Sequence, residues 1–238
     1  MVAAFVVILL TDSDSVILGH GVGAAVFALS LALPRIMPWV MGAVVATGVV
    51  MAPMIPDRLP DPFQKGPHLS WLTPSAALRL IIWRTAAKHI KEKPVLGGGF
   101  DTARGLYSKK DRVYYKFPDE IVGRPWGPVK YEPIPLHPHN GILQVWLELG
   151  AVGAVILLVL LLSVVRGIQR LVGDRVNKAA ALAAMTTGLT IGSISFGVWQ
   201  SWWLSSILLG GAFMAALLGP IDGTGPVSES PASEKDEI

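Results

Sequence analysis

Five uncharged apolar stretches constrain this chain more than any other feature. Residues 16–33 hold 18 residues with one His and no formal charge, and 36–55, 179–198 and 199–218 hold 20 each with none. Residues 149–165 add 17 uncharged positions to an apolar segment that begins at Gly141. At 1.5 Å per residue, stretches of this length match a hydrocarbon core of about 30 Å. The overall balance agrees: 52% of residues are hydrophobic, 16% are charged, and mean hydropathy is +0.52. The sequence therefore predicts an all-α integral membrane protein, a polytopic bundle of five or six transmembrane helices.

Residues 2–10 are also apolar, but nine residues are too few to span. They have neither the basic flank nor the small-residue cleavage site of a signal peptide. They read as the end of a longer helix, so the chain is expected to be the C-terminal portion of a larger protein or a truncated reading frame. The absence of cysteine excludes a disulfide framework and a thiolate metal site.

Short-loop charge sets the orientation. Arg166, Arg170, Arg175 and Lys178 stand against Asp174 in the 166–178 connection, which places it in the cytoplasm. Counting spans from there puts Arg35 on the cytoplasmic side, residues 11–15 and 56–136 outside, and the C-terminus inside. Four regions are expected: truncated N-terminal membrane helices over 1–55, a large external loop over 56–136, C-terminal membrane helices over 137–218, and a disordered tail over 219–238. The tail holds five acidic residues and one Lys among Gly, Pro and Ser, a composition unable to bury a core.

The external segment is 81 residues long and carries 14 of the 20 Lys and Arg residues against eight acids, a balance of +6. Such an excess would attract anionic lipid headgroups or phosphorylated substrates, although a solvated mixed-charge surface explains it as well. Within it, Thr73-Pro74-Ser75 has the form of an N-cap followed by Pro at the first helical position, and 76–91 reads as a helix ending before Pro94. Arg79 and Trp83 fall on one face of that helix. A guanidinium beside an indole suits phosphate binding; an interfacial helix with a snorkelling Arg and an anchoring Trp is the alternative. Gly97-Gly98-Gly99 lacks the residues of a phosphate-binding loop and reads as a flexible turn.

Chemistry concentrates at His137-Pro138-His139-Asn140, where the loop turns into the apolar segment beginning Gly141. A helix start favours neutral imidazole, the form that accepts a proton, and offers free amides to an anion. Asn140, Gln144 and Glu148 then recur every four residues, a polar stripe on an otherwise apolar helix. Glu148 reads either as a partner for a neighbouring helix or as a reactive group. Metal ligation by His137 and His139 has no evident third ligand.

His139-Asn140, followed by Leu143-Gln144, Glu148 and Gly150 and preceded by Arg79, Trp83 and the glycine turn, resembles the O-antigen ligase and polymerase superfamily. The resemblance covers roughly residues 6–162 and implies a GT-C-like fold with a large periplasmic loop in the bacterial inner membrane. It further implies a metal-independent glycosyltransferase, without cofactor or nucleic-acid partner. Such an enzyme moves a glycan from undecaprenyl diphosphate to a glycan or lipid acceptor hydroxyl. On that resemblance His139 would activate or orient the acceptor and Arg79 would neutralise the diphosphate, supplemented by Arg84 or Lys88. Trp83, Asn140, Gln144 and Glu148 would support them.

Where many members carry Thr-x-Ser-Arg, this chain has Thr11-Asp12-Ser13-Asp14. That leaves open a different acceptor, a substitute cation such as Arg104 or Lys109, or an inactive relative. Two further expectations follow: a separately encoded N-terminal half as partner, and, as the competing function, a scaffold or transport component of polysaccharide export. Ligase and polymerase share these motifs.

Overall fold

The computed structural model describes residues 13–59, 73–106, 113–115, 129–170 and 174–218. The expectations for 2–10, Thr11, Asp12, Lys109 and the 219–238 tail lie outside them. Apart from a two-stranded pairing, the described chain is helical. Its helices are α1 (Asp14–Ala32), α2 (Met37–Met51), α3 (Pro74–Glu92), the single turn α4 (Thr102–Gly105), α5 (Gly141–Arg170), α6 (Arg175–Gly192) and α7 (Ser201–Leu218). A 3-10 turn, Pro56–Arg58, follows α2. Strands β1 (Val113–Tyr115) and β2 (Val129–Tyr131) pair antiparallel, with Val113 opposite Tyr131. This pairing departs from the all-α expectation, and its β-branched and aromatic residues are the local reason.

α1 and α5 are each long and apolar enough to cross a membrane, and α2 and α7 are shorter apolar helices. Val152, Val155, Ile156, Val159, Leu160 and Val164 lie exposed along one face of α5. Spacing of i, i+3, i+4, i+7, i+8 and i+12 makes this a continuous apolar stripe, a surface that belongs against lipid.

Small residues set the helix contacts. α1 buries Ser15, Gly19, Gly23 and Ser30 along one face, against α6. A Cβ at Gly19 would meet Ile191 Cγ1 at 2.6 Å, and one at Gly23 would meet Thr187 Oγ1 at 2.1 Å. Absence of side chains lets the two backbones approach, the usual device between membrane helices. α1, α2, α5 and α6 share a core of Val26, Met37, Met41, Ile168, Ala181 and Leu182. The indole N–H of Trp146 donates to the Val49 carbonyl at 2.8 Å, tying α5 to α2.

Two expected spans are interrupted, and both interruptions shape the site. α5 breaks at Gly150, whose φ of 62° and ψ of −156° are non-helical. The expected 179–198 span ends at Gly192, and residues 193–200 fold back as turns before α7.

The break in α5 is filled by the 94–99 turn. Gly98 N–H donates to Leu147 O and Gly99 N–H to Glu148 O, both at 2.9 Å. Ala151 N–H donates to Pro94 O at 2.8 Å and Val152 N–H to Val95 O at 3.3 Å. The carbonyls and amides freed by the kink are thus satisfied by a second backbone. The glycine turn is a docked element, correcting its reading as flexible. Gly97 and Gly150 have φ of 69° and 62°. A Cβ on Gly97 would lie 2.4 Å from Glu148 C, and one on Gly150 2.3 Å from Val95 O.

Gly97→Ala and Gly150→Ala should each cost about 3 kcal/mol or more, since strain at positive φ adds to a backbone clash. Gly48→Ala, in a helix with open space around the new methyl, should change stability by no more than about 1 kcal/mol. Thermal unfolding midpoints of the full-length protein in detergent micelles check the contrast.

Candidate active site

α3 begins as its sequence dictates. The Thr73 side chain accepts from Ala76 N–H at 3.2 Å and caps the helix that Pro74 opens. Arg79, Trp83, Ala86 and Ile90 recur at i, i+4, i+7 and i+11 and so share one face. Trp83, Ala86 and Ile90 on that face pack against Ala52, Ala103, Ile134, Leu143 and Leu147.

This face meets the start of α5. Trp83 Nε1–H donates to Pro138 O at 3.0 Å, pinning α3 to the His-Pro-His-Asn turn. Asn140 caps α5, its Oδ1 accepting from Leu143 N–H at 2.9 Å. Helical geometry therefore starts at Gly141, and Pro138 lies before the cap, outside the first turn of the helix.

His139 adopts a left-handed backbone, φ 52°. Its N–H donates to His137 Nδ1 at 3.2 Å, and its own Nδ1 lies 2.8 Å from the Ser195 carbonyl. A carbonyl oxygen only accepts, so Nδ1 carries the hydrogen and Nε2 holds the free lone pair of the neutral ring. Nε2 has no hydrogen-bond partner among the described residues. Burial lowers the His139 pKa; the Ser195 bond opposes this, and the positive charge of Arg79 lowers it further. Burial, then the neighbouring His139 and Arg104 charges, pushes His137 down to about 4. Both imidazoles are thus neutral at pH 7.

Arg79 lies one helical turn before Trp83 on the same face of α3, and the Trp83 bond to Pro138 sets that face against the turn that carries His139. Arg79 Nη1 donates to Ser75 Oγ at 3.0 Å, while its Nε is buried without a partner. Among the described residues no carboxylate pairs with it.

Arg84 and Lys88 are not brought to this point. Arg84 lies off the Arg79 face and donates through Nε to Pro56 O at 3.2 Å, and through Nη2 to Leu59 O. It anchors the turn after α2. Lys88 is exposed, half a helical turn around from Arg79. Arg104 forms an ion pair with Asp101 at 3.0 Å. Among the described residues no group of three metal-ligating side chains includes His137 or His139.

The polar stripe of α5 points inward. Gln144 is buried, and Glu148 is wholly so, at 0% exposure. Their partners come from residues 193–200: Val198 N–H donates to Gln144 Oε1 at 2.9 Å, and Trp199 Nε1–H donates to Glu148 Oε2. Gln144 Nε2 donates to Glu148 Oε1 at 3.0 Å, and Asp101 N–H to Oε2 at 2.9 Å. Sequence reasoning missed Ser195, Val198 and Trp199, because Ile194, Phe196 and Val198 read as membrane span. The polar and glycine residues Gly192, Ser193, Ser195, Gly197 and Gln200 were the available signal.

Beside this cluster, a cavity of about 230 Å³ lies between α2, α3 and α5, lined by Gly48, Ala52, Ile55, Trp83, Asn140 and Leu143.

The histidine titrations carry a sign. Unfolded imidazole titrates near 6.5, above both folded values, so between 6.5 and about 4 the unfolded chain binds more protons. The His137 and His139 contribution to stability should be complete above pH 6.5 and decline as pH falls through that window. ¹⁵N spectra of histidine-labelled protein should show the His137 ring neutral at pH 6.5, and protonation of His137 there would contradict the geometry.

Residues 1–158 match the family model described as O-antigen ligase. The curated protein called "Putative polysaccharide ligase" in Rickettsia conorii is 36% identical over 209 residues, 87% of this chain and 48% of that protein. Proteins of the same name in Rickettsia felis and Rickettsia bellii are 33% and 34% identical, over 87% and 90% of this chain. The chain spans about half the length of these curated relatives. No solved structure matches it. The chain belongs to the O-antigen ligase family.

Proposed function

We propose that this chain carries the catalytic elements of a membrane glycosyltransferase that moves a glycan from a polyprenyl diphosphate, undecaprenyl diphosphate in bacteria, to an acceptor hydroxyl. The reaction takes place at the periplasmic face of the inner membrane, with 166–178 and the C-terminus in the cytoplasm and a GT-C-type arrangement of helices. The observation that carries the reading is the convergence of a neutral His139, its Nε2 free, with an Arg79 that has no acidic partner among the described residues.

The chemistry follows from the two groups. His139 Nε2 accepts the proton of the acceptor hydroxyl as its oxygen attacks the anomeric carbon of the donor sugar. The bond from that carbon to the diphosphate oxygen breaks, and its electron pair leaves with the lipid diphosphate. Negative charge grows on that leaving group, and Arg79, a fixed cation with unspent donors, compensates it. The cavity beside Trp83 and Asn140 suits the first isoprene units of the lipid, since most of its lining is apolar. Arg84, held by the Pro56 and Leu59 carbonyls, serves the loop. Lys88, exposed on the opposite face, is left to the headgroup region.

A scaffold or transport component of polysaccharide export is the competing reading. Such a protein has no need to keep Arg79 free of acids, or to hold His139 in one tautomer with Nε2 left without a partner among the described residues.

In a host lacking the gene, His139→Ala and Arg79→Ala should each abolish surface-glycan assembly at unchanged protein abundance. Arg84→Ala, by contrast, should lower abundance. Glycan assembly by the His139→Ala protein would defeat the catalytic reading. With purified protein the transfer rate should fall to half its maximum at a pH below the ordinary imidazole pKa of 6.5, because burial shifts His139 down. A midpoint above 6.5 would contradict a lowered His139.

A further inference from the structure

Glu148 is the most deeply buried ionisable group among the described residues, and proton transfer at His139 does not use it. Its surroundings give it a different task. Three donors reach it: Gln144 Nε2 on one oxygen, Asp101 N–H and the Trp199 indole on the other. One step further out, Val198 N–H donates to Gln144 Oε1. Main-chain and indole N–H groups can only donate. Gln144 takes one such donor on its oxygen and presents another from its nitrogen, so the network closes only on a group that accepts at both oxygens. A carboxylate is such a group; an amide is not.

The network also has a direction. Val198 and Trp199 follow Ser195 in the turn that leads from α6 to α7, and the Ser195 carbonyl is the acceptor that fixes Nδ1–H on His139. The same turn touches the histidine pair a second time, for a Cβ on Gly197 would meet His137 Cγ at 2.9 Å. Phe100, next to Asp101, packs its ring on Trp199 with centroids 4.7 Å apart. Three separate segments therefore meet at one carboxylate.

We propose that Glu148 is a positioning residue for His139: by clasping Val198, through Gln144, and Trp199, it places the Ser195 carbonyl that sets the His139 tautomer. It takes no proton in the reaction. The inference rests on the reading of His139 as the proton acceptor, and the experiment separates the two.

Glu148→Gln sets an amide nitrogen against the Gln144 nitrogen, and flipping Gln144 only moves the donor clash to Val198. The exchange Gln144→Glu with Glu148→Gln removes the conflict. The carboxylate at 144 accepts from Val198 and from the amide nitrogen at 148, whose oxygen accepts from Asp101 and Trp199. In a glycosyl-transfer assay with the full-length protein, normalised to the amount in the membrane, Glu148→Gln should lower kcat by about 100-fold, the scale of a misplaced catalytic group, with little change in the KM for the lipid donor. The double exchange should recover most of that loss, a non-additivity expected of two side chains in one network. ¹⁵N spectra should show His139 losing its single Nδ1–H tautomer in the Glu148→Gln protein and regaining it in the double exchange.

A double exchange as inactive as Glu148→Gln would overturn the proposal and show that charge at 148 itself is required. A Glu148→Gln protein with unaltered kcat and tautomer would overturn it too. His139→Ala in the same assay tests the underlying reading by itself: activity there removes the proton-acceptor role, while the tautomer measurement still decides whether Glu148 positions the ring.

Discussion

Everything about this site depends on a backbone-to-backbone contact at the break in α5. Kinking a helix inside an apolar bundle frees carbonyls and amides that lipid cannot satisfy, each at a cost of several kcal/mol. Here the freed groups of Leu147, Glu148, Ala151 and Val152 bond to Pro94, Val95, Gly98 and Gly99. The 94–99 turn is thereby built into α5. α3, which carries Arg79, runs directly into the 94–99 turn, so docking that turn fixes the far end of α3 against α5. The Trp83 bond to Pro138 fixes it again nearer the site. Two anchors on one rigid helix determine where Arg79 stands relative to His139.

The second determinant is the turn after α6. Residues 193–200 supply the carbonyl that chooses the His139 tautomer and the two N–H groups that engage Gln144 and Glu148. The site is therefore assembled from α3, the start of α5 and the α6–α7 turn, and none of these is a site alone. Such an arrangement suits transfer between two bulky substrates, since a preorganised base and cation need no rearrangement when charge develops. The family match gives the O-antigen ligase family; glycosyl transfer and the roles of base and cation are our proposals from the geometry. The chain matches about half of the length of these curated relatives.

Much of this was legible in the sequence. The Thr73-Pro74 cap predicted α3, and the apolar stretches predicted helices near their observed places. The four-residue spacing of Asn140, Gln144 and Glu148 predicted an inward polar stripe. What was not legible has physical reasons. Gly150 is one glycine in an apolar run, and its partner is more than fifty residues away, so no local pattern marks the break. Gly97-Gly98-Gly99 looks flexible by composition, and only the approach of Glu148 shows that glycine is required there. Arg84 and Arg79 are indistinguishable as cations; their separation follows from a helical rotation and from carbonyls after α2 that no sequence window contains. Residues 193–200 hid because Ile194, Phe196 and Val198 carry enough hydropathy to continue a span.

The central claim is that Arg79 and His139 face one bound diphosphate. The direct test is to titrate the purified full-length protein with a short-chain polyprenyl diphosphate, following both binding and the His139 ¹⁵N resonance. Binding should saturate and shift the His139 Nε2 signal, be lost in Arg79→Ala, and be retained in His139→Ala. Equal affinity for the lipid diphosphate in Arg79→Ala, or a His139 signal that does not move on saturation, would contradict it.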